Sequence, residues 1–455
     1  MSISAFLSGF SGFVWGAPLM ILLVGTGLFL SSYLKLIQFR GFSHAIDIIR
    51  GKFDNKEDPG EISHFRALST ALSATIGTGN IVGVAAAILT GGPGAVFWMW
   101  VTALVGMATK FTSCTLAVHF RRIDESGEVH AGPMHFIERG MGPQFRWLAV
   151  LFASFTVLAS FGIGNMFQVN NMVAAVNGLV YGDGETILMS TRIVVGIITA
   201  GLVAAVILGG IKRIAAFAGR LVPFMCVFYV LAGLLILAIH ADLIIPGFRL
   251  IFYQAFHAPE AVAGGLLGGV IRSGVARGLF SNEAGLGSAP MAHGAARTKE
   301  PVREGLVAMI GPFIDTIVVC SITALVIVCT GVYREIAVKG QLTGAAFNAA
   351  LPGSGIVVSF GILLFAFSTL VAWSYYGDRA ADYLFGHGAV RIYRWAYVGF
   401  ILIGAWRPLD DIINFCDGMN ALMAFPNLIA LIALSPVVVK LTKDYFVRQK
   451  IESHG

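Results

Sequence analysis

Residues Thr75 to Gly83 read Thr-Ile-Gly-Thr-Gly-Asn-Ile-Val-Gly, in the middle of an apolar stretch long enough to cross a membrane. Two glycines, a threonine and an asparagine at mid-bilayer depth are costly. The backbone there is expected to leave the helix, and freed N–H and C=O groups survive in lipid only where they line a cavity. A helix broken at the midplane offers amide donors to an anion and carbonyls to a cation. Many secondary transporters hold substrate and coupling ion together in this way, so the segment points to a carrier.

Composition agrees. The chain of 455 residues is 56% hydrophobic and 12% charged, against about 25% charge in soluble domains, and its mean hydropathy is +0.80. Such a chain is an all-α polytopic membrane protein. Cys114, Cys226, Cys320, Cys329 and Cys416 all fall in apolar segments without a CxxC pair, so they read as small apolar residues. No Lys or Arg precedes Lys35, which leaves out the basic start of a cleaved signal peptide. The first apolar segment is expected to be a retained span.

Runs near the ~20 residues needed to cross a bilayer predict eleven spans. They lie near 15–37, 66–89, 94–118, 147–178, 191–210, 214–240, 259–292, 304–330, 356–376, 392–406 and 411–437. With an external N-terminus, 23 of the 31 Lys and Arg residues fall on the cytoplasmic side, five outside, and three (Lys110, Arg272, Arg277) within spans. This segregation follows the positive-inside rule and puts the C-terminus in the cytoplasm. It also explains the net charge of +6 by membrane lipid, with no nucleic acid. The expected residence is the plasma membrane, the bacterial inner membrane. Ile244–Phe256 and Leu342–Leu351 are helix-capable and suggest lids on the outer surface; plain solvent loops are the alternative.

The seventh span repeats the interruption of the second, with Gly278-Leu279-Phe280-Ser281-Asn282-Glu283-Ala284-Gly285. The two are five spans apart and run in opposite directions. Broken helices at matching places in two halves are the sequence sign of an inverted repeat. The organisation predicted is an accessory N-terminal helix and cytoplasmic loop over 1–62, five-helix repeats over 63–240 and 241–437, and a basic cytoplasmic tail over 438–455.

Gly91 to Gly106 reads Gly-Gly-Pro-Gly-Ala-Val-Phe-Trp-Met-Trp-Val-Thr-Ala-Leu-Val-Gly. With Arg277 to Pro290, Trp373-Ser-Tyr-Tyr-Gly377 and Phe313-Ile-Asp-Thr316, this resembles the alanine or glycine:cation symporter family (sodium:alanine symporters), from about Ser63 to Leu431. The resemblance implies a LeuT-like 5+5 fold, sodium or sometimes proton coupling, and a small neutral amino acid as substrate. The stretch Asp417-Gly-Met-Asn-Ala departs from the family's pattern, which tends to place Asn-Gly together.

Gly77-Thr78-Gly79-Asn80 resembles the Gly-x-Gly-Asn break of LeuT-type carriers. On that resemblance the N–H groups of Thr78 and Gly79 would meet the substrate carboxylate, and the Thr75 carbonyl and Asn80 side chain a cation beside it. A Gly-rich packing face is the alternative. Gly278 to Ser281, with Phe280 between them, would supply carbonyls for the substrate ammonium. Glu283 either neutralises a cationic site or pairs with Arg277 or Arg272, and Asn282 either lines the site or caps the second half-helix. Ser368 and Thr369 resemble the hydroxyl pair of the conserved sodium site, with span-two carbonyls around Ser73 and Ile76 as partners. The other reading is bonding back to their own helix.

Phe161, Asn165 and Gln168 share a helical face by spacing and, with Trp373, would line the pocket. Trp98 and Trp100 read as interfacial belt residues, and Lys110 is expected to snorkel to the inner surface. No HExxH, Walker loop or catalytic pair appears, so neither an enzyme nor an ATP-driven pump is expected. The function expected is import of alanine or glycine, with D-alanine left open, Na⁺ as coupling ion, no organic cofactor and a working monomer. A proton-coupled symporter is the alternative; an ion channel would need a filter loop that is not visible.

Overall fold

The computed structural model describes residues 3–182, 186–257, 268–336, 338–407 and 410–452. Helices account for nearly all of it, because apolar backbone in lipid must satisfy its own polar groups. In chain order they are α1 (Ile3–Val14), α2 (Ala17–Tyr33), α3 (Phe42–Ile49), α4 (His64–Thr75), α5 (Val82–Gly91) and α6 (Ala95–His119). A small hairpin, β1 (Arg122–Ile123) and β2 (Val129–His130), precedes α7 (Arg146–Phe161), α8 (Phe167–Tyr181), α9 (Met189–Ile207), α10 (Gly210–Ile239) and α11 (Ala241–His257). Then follow α12 (Gly269–Asn282), α13 (Ala289–His293), α14 (Pro301–Pro312), α15 (Ser321–Thr330) and α16 (Lys339–Ala350). The last three are α17 (Gly355–Phe385), α18 (Gly388–Trp406) and α19 (Asp410–Glu452).

Among the described residues, eight helical runs are long and apolar enough to cross a membrane, and the bent pair α4–α5 makes a ninth. The eleven predicted spans include two more. The first part of 259–292 lies outside the described residues, and its described part, α12, has 14 residues. The other, α18, has 19 residues, but Arg391, Tyr393, Arg394, Trp395 and Tyr397 make it less apolar than the rest. Both segments expected as lids are helices, α11 and α16.

α1 packs on the start of α19, where the Ser11 hydroxyl donates to Asp417 at 2.9 Å. The other end of α19 carries Arg448, 2.8 Å from Glu300. With 43 residues, α19 is roughly 65 Å long at the usual rise. The two chain ends therefore lie on opposite faces, called here the N-terminal and C-terminal faces. In the centre, α12 packs on α5 and α6, α14 packs on α6, and α17 lies against α4, α7, α8 and α10.

Both predicted interruptions are breaks. α4 and α5 meet at 62° across extended Gly77 and a 3-10 turn at Thr78–Asn80. The second break begins later than expected. α12 runs unbroken through Asn282, and the chain leaves it at Glu283 (φ 53°), followed by Gly285 and Gly287, both with φ 93°. The reason is local: α12 is helical wherever α5 and α6 pack on it, and the glycines that permit positive φ come only after it.

Candidate functional site

At the first break the helix ends at Thr75, so its last carbonyls lose their helical partners. The carbonyls of Thr75 and Ile76 accept no hydrogen bond among the described residues. The Ser73 carbonyl is met by Ser368 Oγ at 3.2 Å and Thr369 Oγ1 at 3.1 Å, and Ser73 Oγ donates to the Ser368 carbonyl at 2.8 Å. Ser73, Ser368 and Thr369 thus form one buried cluster of oxygens between α4 and α17, with Ile76 at its edge. Hard oxygen atoms without a carboxylate suit a monovalent cation that must leave again. Gly77 is needed here because a Cβ would stand 2.7 Å from Thr369 Oγ1. The Thr75 hydroxyl bonds back to Ala71 and Leu72 of its own helix.

The turn that follows is held by Asn80, whose Oδ1 accepts the Gly77 N–H at 3.0 Å. The buried N–H groups of Thr78 and Gly79 meet no acceptor among the described residues. Two adjacent free donors in the turn that leads into α5 are the groups an anion can meet. Thr78 Oγ1 donates to Gln168 Oε1 at 3.1 Å, so Gln168 faces this turn. The Phe280 ring lies 3.5 Å from the point where a Cβ on Gly79 would stand, and it lines an open cavity of about 370 Å³ with Arg272, Arg277 and Asp417. Phe280 therefore separates that cavity, on the N-terminal face, from the free donors.

At the second break the carbonyls of Phe280, Ser281 and Asn282 accept no hydrogen bond among the described residues, which leaves three free acceptors. Gly278 is not among them. It lies inside α12, where a Cβ would stand 2.2 Å from Thr102 Oγ1, so it serves close packing on α6. Asn282 does not cap α13; its Oδ1 accepts from Ala284 N at 3.0 Å, and its Nδ2 donates to Thr316. Glu283 pairs with neither arginine. Trp373 Nε1 donates to it at 3.1 Å and Ser288 Oγ at 2.5 Å. Trp373 is thus turned to the second break, fixing an acid.

The residue that joins both breaks is Asp315, fully buried in the π-helical stretch Phe313–Cys320. Its oxygens accept from Asn80 Nδ2 at 2.6 Å, Ser281 Oγ at 2.8 Å and Thr316 Oγ1 at 2.7 Å. Sequence reasoning treated this stretch only as part of a family motif. The signal was present: an acid within an apolar span is a functional candidate by default, the rule that singled out Glu283.

Phe161 and Asn165 are not brought to the pocket with Gln168. The π-helical stretch Gly162–Met166 interrupts the 3.6-residue period. Phe161 stacks on Tyr393, Tyr397 and Phe400 of α18, and Asn165 Nδ2 donates to the Tyr397 carbonyl at 2.8 Å. Lys110 does not snorkel; it is 2% exposed. Trp98 and Trp100 are not free at an interface, since they donate to the Ala255 carbonyl and Ser321 Oγ.

On the C-terminal face the two broken helices are fastened to each other. Ile62 bridges Ala296, and Arg121 donates to the carbonyls of Pro59, Gly294, Ala296 and Thr298 at 2.6–2.8 Å. Buried Glu304 joins His64, at the start of α4, to His293, at the end of α13. The hairpin is tied to α17 through Arg379–Glu128 at 2.5 Å and His130–Asp382 at 3.0 Å. The hydrogen bond that His130 donates to Asp382 raises the pKa of His130 above its usual value, against desolvation.

The sodium:alanine symporter family model matches residues 1–454. The chain is 46% identical to the sodium/alanine symporter AgcS of Methanococcus maripaludis over 97% of each chain. It is 35% identical to YrbD of Bacillus subtilis, a putative sodium/proton-dependent alanine carrier protein, over 98% of this chain and 93% of the relative. It is also 35% identical to the probable sodium/glutamine symporter GlnT of Bacillus subtilis, over 96% and 89%.

Proposed function

Since the chain belongs to the sodium:alanine symporter family, whose members are cation-coupled amino-acid transporters and not enzymes, we propose that it imports alanine or glycine with Na⁺. The reading is carried by one juxtaposition. Free N–H groups of Thr78 and Gly79 lie one turn from the oxygen cluster of Ser73, Ser368 and Thr369. A zwitterion's carboxylate held by the first would approach a cation held by the second, and each ligand would raise the other's affinity. The carbonyls of Phe280 and Ser281 would take the ammonium. Asp315 orders both breaks through Asn80 and Ser281, so filling one break is felt at the other.

In this reading 63–240 and 241–437 are inverted halves, with 1–62 accessory and 438–455 a cytoplasmic tail. The basic C-terminal face is cytoplasmic, in a bacterial plasma membrane, and one chain suffices. Uptake of labelled alanine into proteoliposomes, driven by a Na⁺ gradient or by a proton gradient alone, is the test. Sodium-driven, saturable uptake is expected; uptake driven equally by protons without Na⁺ would sink the sodium assignment. S368A with T369A should raise the half-saturating Na⁺ concentration at least about tenfold, the effect of roughly 1.4 kcal/mol from lost ligand oxygens. An unchanged value would remove the pair from the ion site.

A further inference from the structure

Two acids and one lysine, Asp315, Glu283 and Lys110, are buried around the two breaks. Both acids are held by uncharged donors. Asp315 takes the Asn80 amide and the hydroxyls of Ser281 and Thr316; Glu283 takes the Trp373 indole and Ser288. The Asn80 amide is fixed as the donor, because its oxygen is occupied by the Gly77 N–H. Lys110 rises from α6 beside Gly311 of α14, 3.6 Å from where a Cβ there would stand. It makes no ion pair within 4.0 Å and donates no hydrogen bond among the described residues. Gly106 and Thr109 of the same helix face Ala284 and Gly285, and Gly311 stands one turn before Asp315, so Lys110 lies on α6 level with both acids and pairs with neither.

With all three charged, two acids and one lysine leave one negative charge in the membrane interior. An uncompensated charge there is expensive. A zwitterion adds no net charge, so one monovalent cation makes the loaded centre neutral, and a second would leave it positive. We propose that Lys110 is a built-in counter-cation that takes the place of a second coupling ion and fixes the ratio at one monovalent cation per amino acid. This rests on the cation-coupled reading above.

The test measures charge moved per amino acid, from reversal potentials in proteoliposomes. The unaltered protein should move one positive charge. K110M leaves two unbalanced acids, so it should either move two charges per amino acid or lose uptake at least about tenfold through the uncompensated pair. Adding E283Q to K110M restores the original balance, and uptake with one charge per amino acid should return. E283Q alone leaves the centre neutral and should move amino acid with less charge than the unaltered protein; this arm stands if K110M does not fold. K110M retaining unaltered uptake at one charge, a folded double variant no better than K110M, or E283Q moving one full charge would each overturn the proposal. Wild-type uptake without charge movement would instead remove cation coupling itself.

Discussion

The two ends of the broken helices differ. On the C-terminal face α4 and α13 are closed on each other by a backbone bridge, four carbonyls on Arg121, and Glu304 between His64 and His293. On the N-terminal face α12 borders an open cavity of about 370 Å³, and one aromatic ring, Phe280, lies between it and the free donors of Thr78 and Gly79. One side is shut by many polar contacts; on the other the Phe280 ring lies between the cavity and the turn. Resistance to opening the C-terminal face therefore resides in bonds among α4, α13, α14 and the segments beside them, away from the two breaks.

Removing Arg121 should erase the contrast most. R121A exposes four carbonyls that a single guanidinium serves, a loss of about 3 kcal/mol or roughly a hundredfold in the closed-to-open ratio of that face. Labelling of A295C by a maleimide applied from the C-terminal face should rise accordingly; unchanged labelling would show that Arg121 does not hold it shut. A smaller effect is expected at the other end. F280A joins the cavity to the turn at Gly79 and should weaken alanine binding by about tenfold through lost apolar cover, roughly 1.5 kcal/mol. Unchanged affinity, read by calorimetry, would exclude the ring as a cover.

The smallest effect is one of pH. His130 has a raised pKa when folded, so its bond to Asp382 contributes fully below the unfolded value of 6.5 and is lost as pH rises through the folded value. Hydrogen exchange over 122–130, corrected for intrinsic rates, should quicken on that rise, with Asp124, Arg379 and His135 as charged or titratable neighbours. H130Q should flatten the dependence; a flat profile in the unaltered protein would exclude His130 as a fastener.

The first break was legible because Gly77, Gly79 and Asn80 stand in an apolar run, where nothing but a departure from the helix explains them. Its partner in α17 was legible only through resemblance, since adjacent hydroxyls such as Ser368 and Thr369 have an ordinary alternative in their own helix. The displaced second break, the π-helical stretch at Gly162–Met166 and the turning away of Phe161 were not legible. Each depends on how neighbouring helices pack, and residue spacing assumes an unbroken period. Arg121 was hidden for another reason. Its partners are backbone carbonyls 62 to 177 residues away, and any residue type offers those.

A single uninterrupted rod, α17, touches the oxygen cluster through Ser368 and Thr369, the acid of the second break through Trp373, and the hairpin on the C-terminal face through Arg379 and Asp382. These points span 15 residues, roughly 21 Å of stiff helix. Any tilt of this rod must swing the indole and tug the hairpin in the same stroke. A displacement at either break therefore reaches the closed surface by leverage, with no relay of loosely linked parts.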